Sequence, residues 1–262
     1  MAVLVDLTKC IGCESCVVAC KLWNKLEYKK EDKKAVKLAE KELNDVNWTV
    51  IQKKTLPAKD GGELVRFVKR QCMHCLEPAC ASACFSKALQ VDENGAVVYY
   101  PDLCVGCRYC MIACPYDVPK YQWEKAFPQI QKCQMCSGRL ANGEAPACTS
   151  VCPTGALKFG ERDDLLKEAH DRITKNSYYV NHVYGEKEVG GSNWLYISDK
   201  PFEELGFKSN LEEISPTSYT KSYLSKVPIL AAAWGVFLAG LAVYNNRREK
   251  LSGKNKESEK DE

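Results

Sequence analysis

The apolar positions of this 262-residue chain follow two regimes. Through Ile197 they come in short runs broken by polar and turn-forming residues. Val3-Leu4-Val5-Asp6, Val97-Val98-Tyr99-Tyr100 and Trp194–Ile197 predict short strands. Trp48–Ile51 and Leu64–Val68 predict two more, separated by the turn signal Asp60-Gly61-Gly62. Asp163–Lys175 predicts a helix, and His182–Gly191 a loop. Glu27–Leu43 is dense in Lys and Glu, with apolar Ala35, Val36, Leu38, Ala39 and Leu43; it predicts a solvated amphipathic helix rather than a partner-docking face.

The second regime is Val227–Tyr244, 18 residues without a charge. At about 1.5 Å per residue such a helix reaches about 27 Å, close to a hydrocarbon core of about 30 Å. A buried core helix is the competing reading. Position near the C-terminus and flanking Lys221, Lys226, Arg247, Arg248 and Lys250 favour a transmembrane helix in the lipid bilayer. The basic excess after the helix places the tail in the cytoplasm and the rest of the chain on the opposite face. Pro228 falls in the first turn, where it is tolerated. Ala231, Gly235 and Ala239 form a small-residue face on which another membrane helix can pack.

A net charge of +3 is too weak to argue for a nucleic-acid partner. The 16 cysteines change the picture, because all lie between Cys10 and Cys152. They form four groups: Cys10, Cys13, Cys16, Cys20; Cys72, Cys75, Cys80, Cys84; Cys104, Cys107, Cys110, Cys114; and Cys133, Cys136, Cys148, Cys152. These spacings are those of metal ligands rather than of a disulfide framework. No apolar signal core and no twin-arginine pair precede Cys10, so work outside the cytoplasm implies export with a partner, or a leader removed from this numbering.

A CxxCxxC loop wraps three thiolates around one iron–sulfur cubane, and the fourth cysteine points toward a second cluster. Structural zinc instead uses separated CxxC knuckles. Groups one and three fit the cubane. Group four alone resembles a zinc knuckle, but the repeat around it favours a cluster. Ser86-Lys87-Ala88-Leu89-Gln90-Val91 follows group two as Thr154-Gly155-Ala156-Leu157-Lys158-Phe159 follows group four. Strand, cysteine loop, half-turn of helix and strand therefore recur as two nested units of the two-cluster ferredoxin type.

The expected fold class is thus α+β: two nested bacterial-ferredoxin-like units with an inserted α/β segment, plus one C-terminal transmembrane helix. The cluster domain would span residues 1–160 with the insert at 21–70. A cysteine-free extension at 161–226 packing on partner subunits, the transmembrane helix at 227–244 and a charged tail at 245–262 would follow. All sixteen cysteines are iron ligands in this reading, predicting four [4Fe–4S] clusters with no spare thiol. Gly12 and Gly106 allow the backbone to approach inorganic sulfide. Proline follows the last cysteine of groups three and four, whereas Lys21 follows Cys20 and Phe85 follows Cys84, which puts the local turn there in question. Of His74, His170 and His182, only His74 lies in a cysteine loop, where it reads as a packed or hydrogen-bonding residue. No nucleophile–base pair, phosphate loop or carboxylate dyad provides a catalytic group.

Cys10-Ile11-Gly12-Cys13 through Cys20-Lys21-Leu22-Trp23-Asn24 resembles the beta subunit of respiratory formate dehydrogenase. Gln71–Cys75, Cys107–Met111, Cys114–Tyr121 and Tyr184–Gly191 resemble the iron–sulfur subunit of hydrogenase-2-type nickel–iron hydrogenases. Both families carry a C-terminal helix, which the simpler beta subunits of dimethyl sulfoxide or polysulfide reductases lack. The resemblance implies crossed ligation: Cys10, Cys13, Cys16 with Cys152; Cys133, Cys136, Cys148 with Cys20; Cys72, Cys75, Cys80 with Cys114; and Cys104, Cys107, Cys110 with Cys84. It also implies a non-catalytic electron-transfer subunit. Its partners would be a catalytic oxidoreductase subunit of molybdopterin or Ni–Fe type and an integral-membrane, quinone-reactive subunit such as a cytochrome b. The cluster domain would be periplasmic on the inner membrane, in anaerobic respiration, with folded export on the partner's signal. A free-standing membrane-tethered polyferredoxin and a zinc-stabilised interaction module are the alternatives.

Overall fold

A computed structural model describes residues 1–28, 41–57 and 61–258, with side chains to residue 249. The chain forms two compact units, Met1–Thr217 and Ser218–Glu262. In the first unit, β1 (Ala2–Asp6) is the centre of a three-stranded sheet. It pairs antiparallel with β8 (Leu157–Gly160), Ala2 opposite Gly160, and parallel with β9 (Trp194–Ile197), Val3 opposite Trp194. The first strand of the chain is therefore joined directly to the strand that follows the last cysteine group.

Every residue of β1 is buried, because both faces of this sheet are covered. Ala2 and Leu4 meet Leu195 and Ile197 and the stripe Leu165, Ala169, Ile173 of α6 (Arg162–Lys175). That i, i+4, i+8 spacing makes one helix face, and Asp163 and Asp164 at its start with Arg172 and Lys175 at its end suit the helix dipole. Val3, Val5, Trp194 and Tyr196 point the other way, into the largest core. Each such aliphatic side chain contributes about 1.5–3 kcal/mol on burial.

Between the first two cysteine groups lie β2 (Val50–Pro57) and β3 (Glu63–Arg70), paired from Val50 opposite Arg70 to Pro57 opposite Glu63. They are longer than the apolar runs that predict them. Ile51, Leu56 and Val68 join the largest core, so this hairpin is packed into the cluster domain. The amphipathic helix expected over Glu27–Leu43 lies mostly outside the described residues; Glu27, Tyr28 and Lys41–Leu43 carry no helix. α1 (Ser15–Trp23) runs past Cys20, so the first three residues of the expected insert are helical.

Two short helices, α2 (Ala79–Ser82) and α3 (Tyr109–Ala113), pack together, and β4 (Leu89–Val91) pairs antiparallel with β5 (Val97–Tyr99). β6 (Lys120–Tyr121) pairs with β7 (Ile130–Gln131). α4 (Ser137–Ala141) and α5 (Ala147–Ser150) follow, and α5 packs on α1. The segment after α6 covers the chain's own core through Tyr184, Phe202, Leu205 and Phe207. Its loop is pinned by a bridge between Tyr184 and Tyr196 and a 3-10 turn at Glu188–Gly190.

α7 (Pro216–Leu224) leads to α8 (Val227–Ser258). The helix begins where expected but continues 14 residues past Tyr244, since the Lys-, Arg- and Glu-containing tail has no proline to stop it. Within Pro216–Glu249 lies an 18-residue window of mean hydropathy 2.0, none of it buried in the chain. Ile229, Trp234, Val236 and Leu238 are all exposed. A bare apolar cylinder of this size is unfavourable in water, and its length and composition suit a membrane crossing.

The sheet is tied to α6 through Asp6, a carboxylate only 1% exposed. It accepts hydrogen bonds from Tyr179 OH at 2.8 Å, Thr8 Oγ1 at 2.6 Å and Arg172 Nη1 at 3.0 Å. Replacing Arg172 by Met removes the closer cation of this buried carboxylate and leaves only Lys9 Nζ, at 4.0 Å. The expected cost is about 3 kcal/mol, read as a lower midpoint in thermal unfolding of the intact protein.

Candidate thiol centre

The four cysteine loops share one backbone curl. The residue before the second cysteine has positive φ in each: Gly12 at 73°, His74 at 49°, Gly106 at 71° and Met135 at 54°. A left-handed residue between right-handed ones turns successive N–H groups to the same side. Gly106 N–H accordingly points to Cys104 Sγ at 3.4 Å, and Met135 N–H to Cys133 Sγ at 3.3 Å. A second left-handed residue, Glu14 or Arg108, starts α1 and α3 and turns Cys16 and Cys110 inward. The other two groups use Pro-Ala-Cys-x-Ser-x-Cys, at Pro78–Cys84 and Pro146–Cys152, where the proline precedes α2 or α5.

The missing prolines have little effect on the turn of group two. Lys87 has positive φ three residues after Cys84, as do Asp117 after Cys114 and Gly155 after Cys152. Group one differs, because α1 continues through Cys20. Asn24 caps it instead, donating to Cys20 O at 2.9 Å and to Cys20 Sγ at 3.5 Å.

Thiols from distant groups meet. Cys10, Cys13, Cys16 and Cys152 line one cavity, and Cys84, Cys104, Cys107 and Cys110 line another. Cys75 feels the charges of Cys72, Cys80 and Cys114. Cys133 feels those of Cys20, Cys72, Cys148 and Cys136. Two sets of four thiols thus share a cavity each, and the other eight lie within electrostatic reach of one another. Neighbouring sets also approach each other. Cys16 is within electrostatic reach of Cys148, Cys133 of Cys72, and Cys80 of Cys110. At the middle junction Cys20, Cys72, Cys114 and Cys133 pack with Trp48 and Val118. At the two cavities, Cys13 and Cys107 are the exposed cysteines.

Burial is the main force on these thiols. It pushes Cys16 and Cys110 up to about 11, and Cys20 and Cys80 up to about 12, with neighbouring thiolates adding to the rise. Cys75 and Cys133 are held well above the ordinary thiol range for the same reason. Cys13, nearly free of burial, is lowered by Ser15, whose Oγ lies 3.4 Å from its Sγ. Closely placed, mostly buried thiols facing a cavity are a donor set suited to a group that brings several cations. Orphaned buried atoms agree: His74 Nε2, Tyr116 OH and Trp194 Nε1 have no partner among the described residues. Val97 N–H donates to His74 Nδ1 at 2.9 Å, and burial holds the imidazole neutral. Its remaining proton is therefore on Nε2, which has no acceptor among the described residues.

Two site residues carry no cysteine-like signal in the sequence. Lys69 on β3 and Lys132 beside Cys133 are both 2% exposed. Lys132 Nζ donates to Cys133 O at 2.9 Å and to Val97 O. The signal available for each was a lysine at the end of an apolar run just ahead of a cysteine group. The remaining histidines are remote, His170 beside Glu186 and His182 beside Glu188.

Residues 64–162 match the family of 4Fe-4S dicluster domains. A protein of Nitratidesulfovibrio vulgaris is 45% identical over 254 residues, 95% of this chain and 68% of its own. The hydrogenase-2 operon protein HybA of Shigella flexneri is 34% identical over 284 residues, covering 95% of this chain and 85% of its own. The nitrate-inducible formate dehydrogenase iron–sulfur subunit of Escherichia coli is 32% identical over 249 residues, with 92% and 83% covered.

The curl makes a specific demand on Gly12. A Cβ there would stand 2.4 Å from the Phe67 ring, at a φ of 73°. Gly143, at φ 72°, faces open space. Gly12→Ala should therefore cost about 1–3 kcal/mol more than Gly143→Ala, measured as the difference in thermal midpoint between the two variants.

Proposed function

The chain belongs to the family of hydrogenase-2 and formate dehydrogenase iron–sulfur subunits, and on that premise we propose that it holds four [4Fe–4S] clusters linking a catalytic subunit to a quinone-reactive membrane subunit. The observation that carries this reading is the meeting of thiols from distant groups, four around each of two cavities, with exposed Cys13 at one and exposed Cys107 at the other. When bound, each cluster takes up and returns one electron.

Cys10, Cys13, Cys16 and Cys152 would hold the first cluster of the row. Cys20, Cys133, Cys136 and Cys148 would hold the second, and Cys72, Cys75, Cys80 and Cys114 the third. Cys84, Cys104, Cys107 and Cys110 would hold the fourth. Pairing of β1 with β8 and packing of α1 on α5 support an outer ferredoxin-like unit built from groups one and four. Pairing of β4 with β5 and packing of α2 on α3 support an inner unit from groups two and three. The middle junction excludes water through Trp48 and Val118. At the ends, Ile11 lies beside Cys13 and Val105 beside Cys107, both exposed apolar side chains. Each end therefore offers a close, dry contact to a redox partner.

The relatives named as parts of hydrogenase and formate dehydrogenase make a catalytic subunit of Ni–Fe or molybdopterin type the partner at one end. α8 would span the inner membrane beside a cytochrome b-type subunit, with the cluster domain on the periplasmic side. Its unburied apolar surface and basic tail support that placement.

Three experiments test the reading. Cys152→Ala should lower iron and acid-labile sulfide by up to a quarter and perturb the cluster of Cys10, Cys13 and Cys16 in electron paramagnetic resonance (EPR) spectra. Loss of the Cys133 cluster instead would refute the crossed ligation. Purified from membranes, the native complex should contain nickel, molybdenum or tungsten with iron and sulfide. Zinc without sulfide, or a chain that purifies alone with full clusters, counts against it. Truncation after Leu224 should release the cluster-containing chain from carbonate-washed membranes; full retention of the truncated chain counts against α8 as anchor.

A further inference from the structure

Lys69 lies three residues before Cys72 on β3 and is almost fully buried. Its ammonium donates to Thr49 Oγ1 and stands 5.0 Å from the centre of the Trp194 ring. It also lines the cavity of Cys10, Cys13, Cys16 and Cys152. Cys148 and Cys133 of the adjoining quartet lie within its electrostatic reach.

Among the described residues no carboxylate pairs with this ammonium. The Tyr196 hydroxyl nearby is already engaged, receiving Gln71 Nε2 at 2.5 Å and donating to Lys69 O at 3.2 Å. The anions facing Lys69 are thus the thiolates of two quartets. Burial of a charge without an opposite charge is costly. A cubane with four thiolate ligands is anionic and gains one further negative charge on reduction, so it provides the missing counter-charge. Lys132 is a second buried cation, but it donates to two backbone carbonyls and acts on Cys80, away from the first quartet.

We propose that Lys69 is a fixed buried cation placed between the first and second quartets, where it raises the reduction potential of both outer-unit clusters. The inference rests on the four-cluster reading. Each affected cluster still exchanges one electron with its neighbours; Lys69 stays protonated and enters no bond. Its charge favours the reduced form, so the outer unit holds electrons more tightly than its ligands alone would allow. Surface cations cannot do this, because water screens them.

The test is a redox titration of the native complex followed by EPR, with Cys152→Ala identifying the first cluster's signal. In Lys69→Gln the reduced-to-oxidised ratio of the outer clusters at fixed potential should fall at least tenfold, about 59 mV for a one-electron couple. Lys69→Arg should restore it, and Lys158→Gln, which removes an exposed cation, should leave it unchanged. Should Lys69→Gln fail to assemble, Thr49→Asp carries the test by placing a carboxylate beside the ammonium, with the same downward shift expected. Full iron and sulfide with unmoved potentials in the assembled variant overturns the inference alone. So does an equal shift in the inner pair. A wild-type complex without acid-labile sulfide overturns the four-cluster reading and the inference together.

Discussion

Everything in the first unit depends on bringing thiols from opposite ends of the chain around shared cavities. Cys152 can face Cys10, Cys13 and Cys16 only if the chain after group four returns to the chain before group one. The β1–β8 pairing performs that return, with Ala2 opposite Gly160. Cys84 can line a cavity with Cys104, Cys107 and Cys110 only if the segment between groups two and three doubles back, as β4 and β5 do. Strand pairing and thiol grouping are therefore one constraint seen from two sides. Loss of either long-range contact would open a quartet.

The second requirement is electrostatic. Closely spaced thiolates repel, and burial penalises their charged form, which is why Cys20 and Cys80 are pushed up to about 12. The chain offsets this with partial charges and whole ones. Backbone curls aim the N–H groups of Gly106 and Met135 at sulfur. Lys69 and Lys132 bring full charges into the interior, at a desolvation cost that only an anionic neighbourhood offsets. This division of labour differs along the row. The exposed Cys13 relies on a hydroxyl and water, while the buried Cys133 has lysine, backbone and its own quartet around it.

Spacing made the four cysteine groups legible in the sequence, because three ligands two residues apart leave room for little besides a loop. The apolar runs marked β1, β5 and β9 for a similar reason: a buried strand between polar turns has few other readings. Other features were hidden by their chemistry. His74 and Met135 adopt the left-handed conformation that glycine takes at the matching positions, because the loop imposes it. Nothing in a histidine or methionine announces that. Val50–Pro57 mixes lysines with apolar residues, so its depth in the core emerges only from its partner β3 and from Val3 and Val5 beyond it. Lys69 looks like an ordinary polar strand residue, and its burial is a tertiary fact. The repeated Pro-Ala-Cys-x-Ser-x-Cys segments, by contrast, stood in plain view. They relate groups two and four more closely than cysteine spacing alone does.

The exposure pattern of the row follows from what a conduit must do. Electron transfer weakens steeply with distance, so a terminal centre has to lie near the surface, while an internal one gains from a dry, rigid surround. Cys13 and Cys107 meet the first need, and the packing of Cys20, Cys72, Cys114 and Cys133 around Trp48 meets the second. Exposed thiolate corners are also the points most open to oxidation and loss of iron. Apolar neighbours such as Ile11 and Val105 gain by burial under a partner, which would protect the same corners that the partner must approach. The ends of the row are thus surfaces that a partner seated on them would bury, to the gain of both.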